Sequence, residues 1–469
     1  MLVRLAGYGA SRGAVEGLLA ARGIVLARLL GPELFGVWAL MRLFLRYVAF
    51  AGLGLLRGLE VEVARAGTGR IEGAPSREDW GRAVVGHSLV LYGAMTVLAG
   101  LGWLVLDESA ARLALAGLAL ALLANRFWMY GVAYQRAAGG LKRFALTELA
   151  NAVLQVGLGV GFALVWGLTG AFGGFALAQL LGVLLLVGAV PLRPAWAPVR
   201  IRRLLKLGFP VSLVGILTAT LTTIDRLLVG AFLGLAALGT YAFAVSLSEL
   251  GVILAMVLRT VIVRDVYAGS GADRTGGAGR LLLERVLKGF GFVVPAAAGA
   301  VAIVMPAAIG AFAPEFRAGA SVTQIYLFTA VLQGLINLAL LGIVAVDRQG
   351  WLPAVAIGAV VLNVLLSLLA FGAGYGLTGV AVASLVARAA FCVAILTVLA
   401  SSAASGSVTA VLSRLLGPAL WCALLVVAID AALALDRFAA LPKAIGLYAV
   451  GLVPLLAAYL LLARRGAAG

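Results

Sequence analysis

Five charged side chains stand in one apolar run, and through them this sequence could do chemistry. From Arg28 to Arg65 the chain reads RLLGPELFGVWALMRLFLRYVAFAGLGLLRGLEVEVAR. It sets Arg42, Arg46, Arg57, Glu60 and Glu62 among Leu, Phe, Val, Ala and Gly. At about 100° per residue on a helix, Arg46 lies about 40° from Arg42, Arg57 about 60° and Glu60 about 0°. These four therefore share one narrow stripe. A guanidinium offers a planar fork that holds phosphate oxygens through two hydrogen bonds. An ionisable side chain at the centre of a membrane helix costs at least about 2.5–3.5 kcal/mol. The stripe is expected to face a wet cavity or a paired charge rather than lipid.

Other charges fall at membrane depth. Arg12, Glu16 and Arg22 lie in the first apolar segment, with Arg12 and Glu16 spaced as an i,i+4 pair. Asp225 and Arg226 are adjacent, so on a helix they point about 100° apart and do not simply pair. Thr218, Thr222 and Asp225 share a face that is either wet or occupied by threonines bonding their own helix. Arg126, Arg259 and Arg388 are further single charges. Asn151, Gln155, Asn337 and Asn363 are expected to join helices. Two readings stand for several of these residues. Arg57, Glu60 and Glu62 either line a cavity or snorkel to the cytoplasmic surface. Arg46 either faces a cavity or pairs with a carboxylate of the first helix, and Arg28 is expected to anchor a helix end.

The elements that must position them are membrane helices. The 469 residues are 63% hydrophobic and only 12% charged, against roughly half and a quarter in a soluble domain. Mean hydropathy is +1.12. The 61 glycines and 13 prolines suit close helix packing and bends. A net charge of +17 is read as basic cytoplasmic loops rather than as a nucleic-acid surface. Cys392 and Cys422 read as small buried hydrophobes and His87, the one histidine, as structural. No metal centre, Ser/His/Asp constellation or cofactor is expected. The glycine-rich stretch Gly269–Arg280 lacks the ending of a phosphate-binding loop, so neither an enzyme nor a built-in ATPase is expected. No cleavable signal peptide is evident.

A span needs about 20 apolar residues. Fourteen are expected, at 5–29, 34–63, 83–106, 110–135, 144–167, 169–190, 205–232, 236–264, 286–312, 319–346, 350–373, 377–400, 412–434 and 440–463. The span from 34 to 63 shows no helix stop. Arg and Lys collect in the loops after the even-numbered spans, for example Arg200, Arg202, Arg203 and Lys206 after the sixth. That asymmetry places both termini in the cytoplasm.

The chain also repeats itself. Leu30-Gly31-Pro32-Glu33-Leu34-Phe35-Gly36-Val37-Trp38 resembles Leu233-Gly234-Leu235-Ala236-Ala237-Leu238-Gly239-Thr240-Tyr241, 203 residues later. An offset of six spans keeps both copies in one orientation. It implies two parallel six-helix lobes related by an axis along the membrane normal. The expected organisation is an N-terminal lobe at 1–200, a C-terminal lobe at 201–401 and two appended helices at 402–469. At the same offset Arg46 maps to Glu249, inverting the charge. That carboxylate would make the cavity bipolar, carry a coupling proton, or form a static salt bridge.

The segment Ala27-Arg28-Leu29-Leu30-Gly31-Pro32-Glu33-Leu34-Phe35-Gly36 resembles the first loop of Wzx-type polysaccharide and O-antigen flippases. Leu207-Gly208-Phe209-Pro210, Ile224-Asp225-Arg226-Leu227 and Leu238-Gly239-Thr240-Tyr241-Ala242 add to the likeness. These flippases belong to the multidrug/oligosaccharidyl-lipid/polysaccharide exporter superfamily. The resemblance implies an all-α polytopic fold with a central cavity. It implies flipping of an undecaprenyl-diphosphate-linked oligosaccharide across the cytoplasmic membrane by alternating access. The cavity residues would be Arg12, Arg42, Arg46 and Arg57. Glu16, Asp225, Arg226 and Glu249 would serve coupling or gating, Asp225 and Arg226 at a lobe contact or outer gate. The implied partners are the lipid-linked oligosaccharide, membrane lipid, H+ or Na+ as coupling ion, and a polymerase or ligase of the glycan pathway, with no nucleic acid. The competing reading is an ion-coupled exporter of drugs or small metabolites. Fourteen spans and a cationic first lobe favour the flippase.

Overall fold

The computed structural model describes residues 2–66, 75–105, 107, 109–139, 141–249, 288–345, 350–402, 407–433 and 441–467. Among them there is no strand. The helices are α1 (Leu2–Ala49), α2 (Leu55–Ala66), α3 (Arg77–Val105), α4 (Ser109–Ala138), α5 (Leu141–Leu184), α6 (Pro198–Leu221), α7 (Ile224–Leu233), α8 (Leu235–Glu249), α9 (Lys288–Phe312), α10 (Ala320–Ala345), α11 (Leu352–Gly372), α12 (Gly376–Ser402), α13 (Val408–Ala432), α14 (Leu441–Gly451) and α15 (Val453–Ala467). Each of the fourteen expected spans overlaps a helix over its described residues. The loop Gly269–Arg280 and Arg259 lie outside them.

Ten described helices are long and apolar enough to cross a membrane, or eleven if a bent pair in α6 counts as one span. Two of the ten are folded on themselves and each holds two expected spans. α1 turns at Gly31 (φ 69°, ψ 173°), just before Pro32. On a straight helix Arg22 and Trp38 would stand about 24 Å apart. Instead the Arg22 guanidinium lies 5.7 Å from the Trp38 ring centre, so the two arms run back along each other. α5 turns at Trp166 and Gly167 (φ 57°, ψ −134°). There Gly170 packs on the carbonyl of Phe162 and Gly174 on that of Leu158, the reciprocal spacing of an antiparallel hairpin. Both turns use a glycine because L side chains rarely adopt positive φ.

The expected uninterrupted helix from 34 to 63 does not form. It breaks at a 3-10 turn, Phe50–Gly52, followed by Leu53 in the left-handed region (φ 43°) and Gly54 (φ 88°). The break lets α2 leave in a new direction and lie on α6, where Gly54 and Gly58 meet the backbone of Gly208 and Leu204. Small residues at a helix contact allow this approach. The break also ends the common phase of Arg42, Arg46, Arg57 and Glu60. A wheel drawn across it no longer describes which face each residue shares.

The chain divides into two compact units, Met1–Ala242 and Phe243–Gly469. In the first, α1 packs against α5 and α4, and α3, α4 and α5 form successive neighbours. Trp38 stacks on Phe172 (5.9 Å) and meets Phe175 edge-on (5.8 Å). The two copies of the repeat touch here. Gly36 sits against the carbonyl of Leu235, and Gly239 against that of Pro32. The 203-residue offset exchanges these two contacts, so they are related by a local two-fold. In the second unit, α10 packs on α12 and α9, and α9 on α13. Asn363 donates to the Ser384 hydroxyl at 3.1 Å and accepts from Ser367 at 3.2 Å. Asn363 thus joins two helices, as does Gln155 by accepting from Arg22 of α1. Asn151 donates to the Ala178 carbonyl on the other arm of α5, whereas Asn337 accepts from Gln333 on its own helix at 3.1 Å. Cys392 and Cys422 are buried and free.

Candidate functional site

The second arm of α1 presents Arg42 and Arg46 on its exposed side, while Met41, Leu43 and Leu45 face the core. Arg46 lies in the last turn before the break, where a cation suits the partial negative charge of a helix end. Gly31 is about 22 Å away along the axis, so Arg46 sits deep in the expected membrane span. Glu16 is half-buried on the first arm. Arg12 is on the same arm, and its side chain, with the expected Arg12–Glu16 pair, lies outside the described residues.

Beyond the break the charges pair. Arg57 donates to Glu60 at 3.0 Å and Arg136 reaches the same carboxylate at 3.1 Å. Glu62 is buried and accepts from Nε and Nη2 of Arg203 at 3.0 and 3.3 Å. Arg65 lies 3.5 Å from Glu62, and the Arg203 guanidinium covers the Trp80 ring at 5.5 Å. Arg200 reaches Asp79 at 3.5 Å. This network ties α2 to α6 and α4 at the end where the sequence collects its basic loops. Glu62→Gln should cost about 1–2 kcal/mol of stability, the lower part of the range for charge-assisted bonds because Arg203 is half-exposed. Thermal unfolding of the purified protein in detergent checks this, with an unchanged midpoint counting against a structural role for the fork.

Asp225 is fully buried in the first turn of α7. Its Oδ2 accepts from the Tyr241 hydroxyl at 3.2 Å and its Oδ1 from the Arg226 amide at 2.7 Å. The structure therefore brings Asp225 and Arg226 together with the second copy of the repeat. Thr218 and Thr222 donate to the carbonyls of Val214 and Ala219, at 2.7 and 2.8 Å. Of the two readings for that face, the threonines bond their own helix. Thr223 and Tyr47 share a 2.8 Å hydroxyl contact between α1 and the start of α7. Glu249 is exposed at the end of α8, in the second unit.

Three arginines outside the expected site are buried among the described residues: Arg22, Arg126 and, in the second unit, Arg388, whose guanidinium lies 5.1 Å from the Tyr326 ring centre. Arg22 donates to Gln155, which donates to Asn151 at 2.6 Å, and Asn151 donates to the Ala178 carbonyl at 3.1 Å. The Arg22 guanidinium also lies 5.7 Å from the Phe175 ring. Arg126 on α4 is 5% exposed. Its Nε donates to Ser88 at 3.3 Å and its guanidinium lies 4.4 Å from the Tyr92 ring centre. Arg126 and Arg57 line a cavity of about 320 Å³ at the break between α1 and α2, with Gly52, Leu55, Tyr92 and Asn125 among its walls. The Gly-x-Gly at Gly52–Gly54 was the available signal for the break. Nothing in a hydropathy pattern separates a buried Arg126 from an exposed Arg42.

Fifteen described helices, two hairpins and a chain rich in apolar spans define a polytopic membrane protein. Its fold is similar to the lipid II flippase MurJ in an inward closed conformation, with a TM-score of 0.74 and 15% identity over 97% of each chain. A multidrug resistance MATE family transporter of the MOP superfamily, inward-facing, has a TM-score of 0.61 and 16% identity over 85% of this chain and 96% of that one. A MOP superfamily transporter from Pyrococcus furiosus, described by a reversed polarity of its binding pocket, has a TM-score of 0.59 and 17% identity, over 87% and 96%. No curated protein matches in sequence. Residues 25–309 match the polysaccharide biosynthesis protein family, and the chain belongs to it.

Proposed function

We propose that this protein is a flippase that carries an undecaprenyl-diphosphate-linked oligosaccharide across the cytoplasmic membrane by alternating access. Membership of a polysaccharide biosynthesis family carries the reading. The fold it shares with a lipid II flippase is consistent with it.

The physical problem is the head group, because a diphosphate and several sugars must pass about 30 Å of hydrocarbon. A polar cavity removes most of that cost while the polyprenyl tail stays in the bilayer. Arg42 and Arg46 are exposed on their unit at membrane depth, where contact with lipid would be costly. In this reading they and Arg57 line the wet path together with Arg12, in a cavity flanked by lobes at 1–200 and 201–401. The 203-residue repeat offset is the basis for taking the lobes as parallel. Asp225, Arg226, Glu249 and Glu16 then serve gating or coupling to H+ or Na+, both termini are cytoplasmic, and a polymerase or ligase takes the glycan on the far side.

Deleting the protein tests the reading. Lipid-linked oligosaccharide should accumulate on the cytoplasmic leaflet, with surface glycan lost. Unchanged lipid intermediates together with altered drug tolerance would instead identify a small-molecule exporter.

A further inference from the structure

The cavity at the break between α1 and α2 has the parts of an anion site. Arg126 supplies the charge. Its Nη2 is buried without a partner, and no carboxylate pairs with it among the described residues. A buried cation left unpaired is costly, so the position asks for an anion. Tyr92 stacks on the guanidinium and is itself held by the Ala49 carbonyl at 3.0 Å, which fixes the fork in place.

Two further features face the same space. α2 begins at Leu55, and Leu55, Leu56 and Arg57 line the cavity. The first N–H groups of this twelve-residue helix lack intrahelical acceptors and lie at the positive end of its dipole. Gly52 leaves the room. A Cβ there would stand 3.1 Å from Arg126 Nη2 and 2.9 Å from the Tyr92 hydroxyl. At about 320 Å³ the space is at the small end of ligand pockets. It suits a head group rather than a chain of sugars.

We propose that this cavity is a diphosphate subsite, with the Arg126 guanidinium as its principal donor and the amino end of α2 as its second. It deepens the flippase reading and rests on it for the ligand's source, the carrier lipid. A free diphosphate has the same oxyanion chemistry. The subsite gives the break between α1 and α2 a use: it sets a helix start beside a buried cation.

The test uses the full chain in lipid nanodiscs with three probes, undecaprenyl diphosphate, inorganic pyrophosphate and undecaprenol. Binding is read by thermal shift and by native mass spectrometry. Wild type should bind undecaprenyl diphosphate and not undecaprenol. Arg126→Gln should weaken binding at least about tenfold, the effect of one charged hydrogen bond, and Arg126→Lys should recover part of it. Gly52→Ala keeps the charge and should weaken binding several-fold by filling the space. Arg317→Gln, at an exposed position, should change nothing. Ligand-free melting reports any variant that fails to fold. Arg126-dependent binding of pyrophosphate alone keeps the subsite and assigns it a soluble ligand. Equal binding by wild type and Arg126→Gln, or none by wild type, overturns it. If wild type binds no diphosphate while the deletion strain accumulates the lipid-linked glycan, the subsite falls and the flippase stands. The opposite pair of results leaves the subsite and removes the flippase.

Discussion

Arg46→Ala should lower export of the cognate glycan about ten- to a hundredfold while the protein still inserts. One charged hydrogen bond is worth about 1.5–3 kcal/mol, and each 1.4 kcal/mol is tenfold. Arg46→Lys should recover only part, because a point charge replaces a fork that binds two oxygens. The side chain is exposed, so its removal leaves no cavity in the core and the melting temperature should change little. A companion experiment separates water from lipid around it. Cys392 and Cys422 are buried, so Arg46→Cys should be the principal site for a membrane-impermeant thiol reagent. Reaction at this position agrees with a wet path. Normal surface glycan in cells carrying only Arg46→Ala would remove this residue from the mechanism.

The second large effect is on stability. Gly239→Val should destabilise the first unit by about 3 kcal/mol or more, the upper end of the cost of overpacking. A side chain there meets the Pro32 carbonyl, a backbone atom that cannot step aside, and the Gly36 amide behind it. Gly36→Val should act alike through Leu235. Gly161→Ala, where a Cβ meets nothing within 4 Å, is the control. Loss of folded protein in detergent for the first two, with the control unchanged, is the expected pattern. A stable Gly239→Val protein would show that the repeat copies do not need their close contact.

That contact was partly legible in the sequence. The LG-x4-G repeat located the two glycines, and the 203-residue offset is the one that exchanges their partners. The spans were legible too, because each is a long apolar run and hydropathy needs no tertiary information. The break at Phe50–Gly54 was not. Its signal, two glycines around Leu53, is weak within a mostly apolar run, and what makes it stable is the distant backbone of Leu204 and Gly208. The missed break is why a single helical wheel grouped Arg57 with Arg42. Burial was equally hidden. Arg22 and Arg126 sit among aromatic rings contributed by Trp38, Phe175 and Tyr92, and only the fold brings those rings together. The ion pairs of Glu60 and Glu62 with Arg136 and Arg203 likewise join residues far apart in sequence.

In the proposed function, guanidinium groups in the first unit give a lipid-linked diphosphate a polar route across the bilayer. Purified protein in proteoliposomes, supplied with a labelled undecaprenyl-diphosphate oligosaccharide in one leaflet, measures this directly. Wild type should move the label to the opposite leaflet, and the Arg42→Gln, Arg46→Gln double variant should leave it near the rate of protein-free vesicles. Equal translocation by wild type and the double variant, or none by wild type under an imposed ion gradient and membrane potential, would rule out this route.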